Sequence, residues 1–241
     1  MTDMALERLS GFKGSLKPFF MAVGFHKPHL PFNAPKKYWD LYQPGEIDMA
    51  KNRFKPQHAS QFFDYNFGEL RNYPGIPAGN EALGNSLSRI LKHGYYACVS
   101  YTDAQIGRLI DGLKANGLYD NTVIILWGDH GWKLGEHGMW CKHTQFEVDN
   151  HVPLIVKAPG QKSGGKLTNG FVEFVDIYPS LCELAGLEIP KHVQGASFAP
   201  LFENPDRPWK DVAISYWPMG RNDPGEVIIG YTIKTDRYRY T

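Results

Sequence analysis

Long hydrophobic runs, paired cysteines and an excess of either charge are all missing from this sequence, and each absence removes a class of function. The longest apolar stretches, Phe19–Phe25 and Val123–Trp127, fall far short of the roughly 20 residues a membrane-spanning helix needs. Lys and Arg total 26 against 25 Asp and Glu, a net charge of +1, so no electrostatic footprint points to nucleic acid or an anionic membrane. Three cysteines, Cys98, Cys141 and Cys182, are too few and too scattered for a disulfide framework or a zinc knuckle. Cys98 and Cys182 lie among apolar residues of expected helices and read as buried thiols. Met1–Ser10 carries Asp3, Glu7 and Arg8 without an apolar centre, so it does not read as a signal peptide. It reads as a helix capped by Thr2, with Leu6 and Leu9 on one face.

What is there alternates. Phe19–Phe25, Thr122–Trp127 and Val152–Val156 are apolar runs of strand length, which fit strands buried on both faces. Leu87–Leu118 predicts a helix, with Ile106, Leu109, Ile110 and Leu113 at i, i+3, i+4, i+7 and Asn116-Gly117 as its stop. A further helix is expected near Ile177–Ala185. Between the first two strands runs an irregular stretch from about Pro31 to Gly84, rich in Pro, Gly, Asn and aromatics, and loops of that length more often shape a binding site than link elements. The order predicts an α/β fold with a largely parallel central sheet sandwiched by helices. The tail, Val227–Tyr240, alternates as antiparallel strands do, and both ends of the chain read as severed within elements.

Two polar segments follow expected strands directly, where open α/β sheets place their ligands. In Gly128-Asp129-His130-Gly131-Trp132, a carboxylate stands beside an imidazole with glycines on both sides, a donor pair that suits a divalent cation if other segments complete the shell. Taken alone, such a pair is as well read as a capping aspartate and a surface histidine. Leu134-Gly135-Glu136-His137-Gly138-Met139-Trp140-Cys141-Lys142 continues the segment and ends on a lysine. In His26-Lys27-Pro28-His29-Leu30-Pro31-Phe32, two prolines restrain the backbone around His29; His26 reads better as a structural histidine. Histidine and lysine at both strand ends suit an electropositive pocket for a tetrahedral anion.

Taken in order, these segments, with Tyr101-Thr102-Asp103, Gly107-Arg108-Leu109 and the closing Gly230–Tyr240 stretch, resemble the sulfatase family of the alkaline-phosphatase-like superfamily, in particular its iduronate-2-sulfatase-like branch. The resemblance covers essentially the whole chain. It implies hydrolysis of sulfate esters by a formylglycine nucleophile with one calcium ion, on sulfated carbohydrates such as a uronic acid 2-sulfate. It assigns Asp129 and His130 as two calcium ligands, Lys142 as a sulfate contact that neutralises charge on the departing group, and His29 as a sulfate contact and general acid. Lys27 and His137 are additional substrate-contact candidates and equally candidates for fixing loops. It further implies residues 1–205 as part of the catalytic domain, 206–241 as the start of a smaller carboxyl-terminal subdomain, and a periplasmic, extracellular or lysosomal location.

The sequence departs from the family at the nucleophile. No Cys or Ser begins a Cys/Ser-x-Pro-x-Arg motif, and the paired aspartates and the Lys/His pair expected before the present first residue are absent. The expectation is a fragment truncated at its amino terminus, inactive alone and prone to exposing strand edges. The alternative enzyme reading is a phosphatase, phosphodiesterase or phosphonate hydrolase of the same superfamily with two transition-metal ions, drawing on His143 or His151; the alternative of another class is a non-catalytic remnant or binding fragment. The aromatics of the loop from Phe54 to Tyr73 either stack on a sugar or pack on themselves.

Overall fold

The opening residues form helix α1 (Thr2–Ser10), capped by Met1 and not by Thr2, whose side chain is buried with Ala5 and Leu9. A buried hydroxyl within the first turn is not available at the cap position. In the computed structural model, which describes residues 1–60, 68–79, 81–220 and 227–241, α1 belongs to a compact unit of Met1–Asp120 and Trp132–Lys142. A second unit comprises Asn121–Gly131 and His143–Thr241. Within the described residues no helix is long and apolar enough to cross a membrane.

The first unit is organised by one long helix. After two short turns, α2 (Lys36–Trp39) and α3 (Gly68–Arg71), comes α4 (Asn85–Ala115), 31 residues long. It ends as its sequence predicts. Gly117 takes φ +69° and Leu118 N–H donates to Leu113 O at 2.9 Å, the bond pattern of a glycine-terminated helix. Near that end α1 packs on α4 at Gly112, where a Cβ would stand 2.4 Å from Leu6 Cδ2.

About five turns earlier, the same face of α4 carries the 26–35 loop. Gly94, Cys98 and Thr102 stand at i, i+4, i+8 and share a helix face. A Cβ on Gly94 would lie 2.8 Å from Phe32 O, Cys98 Sγ donates to Asn33 O at 3.5 Å, and Thr102 Oγ1 donates to Lys27 O at 3.2 Å. A hairpin of β2 (Lys133–Leu134) and β3 (Trp140–Cys141), numbered after β1 (Ile124–Trp127) of the second unit, closes the core with Leu30, Leu70 and Leu83.

The run Phe19–Phe25 is not a strand. Among the described residues nothing offers it a ladder, and Phe20 is 86% exposed. Apolar composition indicates only that a segment suits burial; a strand also needs a neighbour to accept its backbone hydrogen bonds.

In the second unit the two remaining apolar runs become β1 and β4 (Leu154–Lys157), paired antiparallel with Ile125 opposite Val156 and Trp127 opposite Leu154. The ladders among the described residues are all antiparallel, where the sequence predicts largely parallel pairing. Burial differs accordingly. Ile125, Leu154 and Val156 pack against Ile177, Phe198 and Leu201, whereas Ile155 on the opposite face is 62% exposed, as antiparallel sheets allow. Helix α5 (Glu147–Asn150) precedes β4, and α6 (Ile177–Leu184) follows it close to the predicted position. The tail forms the expected antiparallel sheet of β5 (Val212–Gly220), β6 (Ile228–Thr235) and β7 (Arg239–Tyr240).

A buried ion cluster fixes the start of α6. Asp176 is fully buried and accepts hydrogen bonds from Lys210 Nζ at 2.7 and 2.8 Å, Ala196 N at 2.8 Å and Glu173 N at 2.9 Å. Burial alone would pull the Lys210 ammonium down, but hydrogen bonds to Asp176 and Glu173 outweigh it and hold the group above its ordinary value. Asp176→Ala is expected to cost about 3 kcal/mol in urea unfolding, because the N–H groups of Glu173 and Ala196 lose their buried acceptor and Lys210 keeps only Glu173 as counter-charge. A group with a raised folded pKa stabilises fully below its unfolded value and loses that contribution as pH rises through the folded one. Wild-type stability should therefore decline above about pH 10.5, and the Asp176→Ala variant should show a smaller decline over the same range.

Candidate active site

Leu30 is buried in the first unit's core and Phe32 packs edge-on against Tyr95 and Trp132, with ring centroids 5.6 and 6.0 Å apart. These two anchors flank the short turn that presents His29, whose N–H donates to His26 O at 3.0 Å. Both prolyl bonds of the segment, Lys27–Pro28 and Leu30–Pro31, are cis. His29 Nδ1 lies 3.1 Å from Leu30 O. A carbonyl oxygen only accepts, so this contact puts the imidazole proton on Nδ1 and a lone pair on Nε2.

Lys142, at the end of β3, meets that lone pair. Its Nζ lies 2.6 Å from His29 Nε2 and donates to both oxygens of Glu69, at 2.8 and 2.7 Å. It also stands over the Trp132 ring, 4.7 Å from the centroid, and Trp132 in turn meets the His29 ring edge-on at 5.1 Å. Lys142 is 6% exposed. The ammonium has three protons and faces three acceptors, so its donor capacity is full. Residues 113 positions apart are thus brought into direct contact.

Glu69 is the residue that sequence reasoning missed. It sits on α3, whose Leu70 is in the core and whose Arg71 donates to Pro77 O at 2.9 Å and to Glu81 O. No motif or periodicity marks it, since the surrounding stretch is irregular. Residues 61–67 of the Phe54–Tyr73 aromatic loop lie outside the described residues.

Lys27 and His137 are engaged by loops. Lys27 Nζ donates to Pro31 O and to Asn33 Oδ1, within its own turn. His137, at φ +58°, donates its N–H to Asn52 O at 2.7 Å and has Nδ1 3.3 Å from Phe54 O. Both sets of contacts hold loop backbone in place.

Cys141 beside Lys142 is buried, and that burial, with the Glu69 carboxylate adding to it, pushes its thiol up to about 12. Burial raises Cys98 as well. Neither is a thiolate near neutral pH, so neither serves as a nucleophile.

In the second unit, β1 ends at Trp127 and Gly128 N–H donates to Pro153 O at 3.2 Å. Gly131 N–H donates to Asp149 O at 2.8 Å, and a Cβ at Gly131 would stand 1.8 Å from Val148 O, so only glycine fits there. Between these glycines, Asp129 Oδ1 accepts the His130 N–H at 3.1 Å, while Oδ2 lies 3.5 Å from His130 Nε2. His130 Nδ1 is 2.9 Å from Gly131 O, so both ring nitrogens face oxygens. The Asp129 side chain is 85% exposed. One carboxylate and one imidazole nitrogen side by side fit part of a divalent-cation shell, and calcium takes six to eight ligands. Among the described residues no group of three or more His, Cys, Asp or Glu forms such a site. His151 pairs with Glu147 at 3.2 Å and His143 stacks on Trp217.

With this geometry in place, similarity to known proteins is informative. The family model described as sulfatase matches residues 1–187. The chain belongs to the sulfatase family. A second model, described as the carboxyl-terminal region of N-sulphoglucosamine sulphohydrolase, matches residues 135–241. Human iduronate 2-sulfatase is 31% identical over all of this chain and 54% of its own length. A sulfatase of Formosa agariphila is 32% identical over 99% of this chain and 44% of its own. The chain thus spans about half the length of the curated relatives it matches. The crystal structure of the phosphonate monoester hydrolase of Agrobacterium radiobacter superposes with a TM-score of 0.79 at 25% identity, covering 99% of this chain and 51% of that one. The fold is the alkaline-phosphatase-like fold of this sulfatase family, as the sequence resemblance implies.

The burial of all three cysteines gives a direct check. Titrated with a chromogenic disulfide reagent at pH 8, the native chain should release almost no colour, and all three thiols should react after unfolding. Rapid reaction of any thiol in the folded chain would contradict the burial of all three cysteines.

Proposed function

We propose that this chain supplies part of the sulfate and metal site of a sulfuric ester hydrolase acting on sulfated sugars, with an iduronate-2-sulfatase-like activity. The observation that carries this reading is the contact between Lys142 and His29, which joins the two family motifs into one cation–imidazole pair beside a carboxylate. Residues 1–205 then belong to the catalytic domain and 206–241 enter a smaller subdomain.

In this reading Lys142 contacts the sulfate and offsets charge on the departing alkoxide. His29 serves as general acid. To donate at Nε2 the imidazole must first take up a proton there from solvent, to which the ring is 32% exposed, while Lys142 stays an ammonium paired with Glu69. Trp132 restricts both groups by packing against the imidazole edge and beneath the ammonium. The contacts of Lys27 and His137 support the loop-fixing alternative of their two readings. Asp129 and His130 would supply one oxygen and one nitrogen ligand to calcium. In the family this chain resembles, calcium supplies Lewis-acid chemistry to an ester.

The nucleophile is not among these 241 residues, since no Cys or Ser stands in the formylglycine motif. The purified chain is therefore expected to release no sulfate catalytically from 4-nitrocatechol sulfate or a sulfated disaccharide, and multiple turnovers would overturn that assignment. Binding tests the rest. Phenyl sulfate should shift the ring signals of His29 in histidine-labelled chain, and Lys142→Ala should weaken that binding about tenfold or more, the scale of a lost charge-assisted hydrogen bond. Added calcium should perturb His130 in the wild type and leave it unchanged in Asp129→Asn. A His29 signal indifferent to phenyl sulfate would remove the sulfate reading.

A second reading is hydrolysis of phosphate or phosphonate esters, supported by the similarity to a phosphonate monoester hydrolase. The charge of the Lys142 pocket bears on the choice.

A further inference from the structure

We propose that Glu69 is a specificity-determining residue that tunes the Lys142–His29 site for singly charged sulfate esters over doubly charged phosphate esters. The proposal rests on the reading of that pair as an ester-anion site.

Charge counting leads to it. Lys142 contributes one positive charge and Glu69 one negative charge in bidentate contact. His29 accepts at Nε2 with its proton on Nδ1, so it is neutral in this arrangement. The three groups sum to zero. A site built to attract a dianion would be expected to present surplus positive charge, as arginine and lysine clusters do for phosphate. Here the one ammonium already has its counter-ion.

Donor counting adds the second step. All three Lys142 protons are accepted, two of them by Glu69. An ester oxygen that accepts from Lys142 must therefore take a position Glu69 now holds. A sulfate monoester does this as an exchange of one single negative charge for another. A phosphate monoester, whose second ionisation lies near pH 6, brings close to two charges at pH 8 and overfills the site.

Glu69 does not depart when displaced. Leu70 beside it is buried in the core, and Arg71 is bonded to Pro77 O and Glu81 O. These anchors hold the α3 backbone, so the carboxylate swings aside on its side chain alone. It stays near any bound ester, and its repulsion acts twice as strongly on a dianion as on a monoanion.

The test uses the 241-residue chain with phenyl sulfate and phenyl phosphate at pH 8, following the His29 ring signals. The wild type is expected to bind the sulfate more tightly, and Glu69→Gln should tighten phosphate binding at least about tenfold more than sulfate binding. Glu69→Ala should show the same bias, which separates charge from the fit of the amide. A residue that merely supports the fold would move both affinities together. The wild type alone gives an independent reading: its sulfate preference should shrink at pH 5, where phenyl phosphate is largely a monoanion, because phenyl sulfate keeps its charge. An unchanged preference in the variants and at pH 5 overturns the role of Glu69 while the sulfate reading stands. No His29 response to either ester, or a response that survives Lys142→Ala, removes the ester-anion site itself and the proposal with it.

Discussion

A lysine ammonium buried to 6% exposure must find acceptors for its protons, because an unpaired charge away from water costs several kcal/mol. Around Lys142 that requirement joins three segments far apart in sequence. The hairpin β2–β3 brings the lysine, the turn after His26 brings an imidazole lone pair, and α3 brings a carboxylate. Remove any one acceptor and the ammonium is left with a proton facing apolar surroundings. The Trp132 face below it adds cation–π attraction but accepts no conventional hydrogen bond. The site is therefore more than a location where family motifs meet: its electrostatics help hold together the loops that build it.

Those loops need a rigid backing, and α4 provides it through one stripe of small and polar residues. Gly94 lets the backbone at Phe32 approach, while Cys98 and Thr102 bond to the carbonyls of Asn33 and Lys27. A bulkier residue at 94 would push the turn away, and His29 with it. The helix thus bears on the position of His29 through the backbone of its loop. The hairpin is restrained at its turn by the His137 contacts with Asn52 and Phe54.

This division explains what was legible in the sequence. His29, Lys142, Asp129 and His130 stand in motifs where glycine and proline mark special backbone, and such local chemistry survives reading without a structure. The long helix announced itself by apolar spacing and an Asn-Gly stop. Glu69 did not, because its importance comes from tertiary contact and its neighbours carry no pattern. The apolar run Phe19–Phe25 misled for the complementary reason: its composition is that of a buried strand, yet pairing depends on a partner that no local pattern reveals. The same limit applies to strand direction. Ile124–Trp127 and Leu154–Lys157 were visible as strands, but their antiparallel register is a property of the pair.

The glycines of the Asp129–His130 turn show how a weak motif acquires meaning. Asp-His beside a strand end is common enough to signify little. A glycine whose Cβ would collide with Val148 O, bonded by its own N–H to Asp149 O, leaves the turn almost no alternative path. On that path His130 Nδ1 meets Gly131 O, and the opposite nitrogen is turned toward Asp129. The turn costs conformational freedom at two glycines, and what that restriction secures is a fixed Asp129–His130 pair at the end of β1.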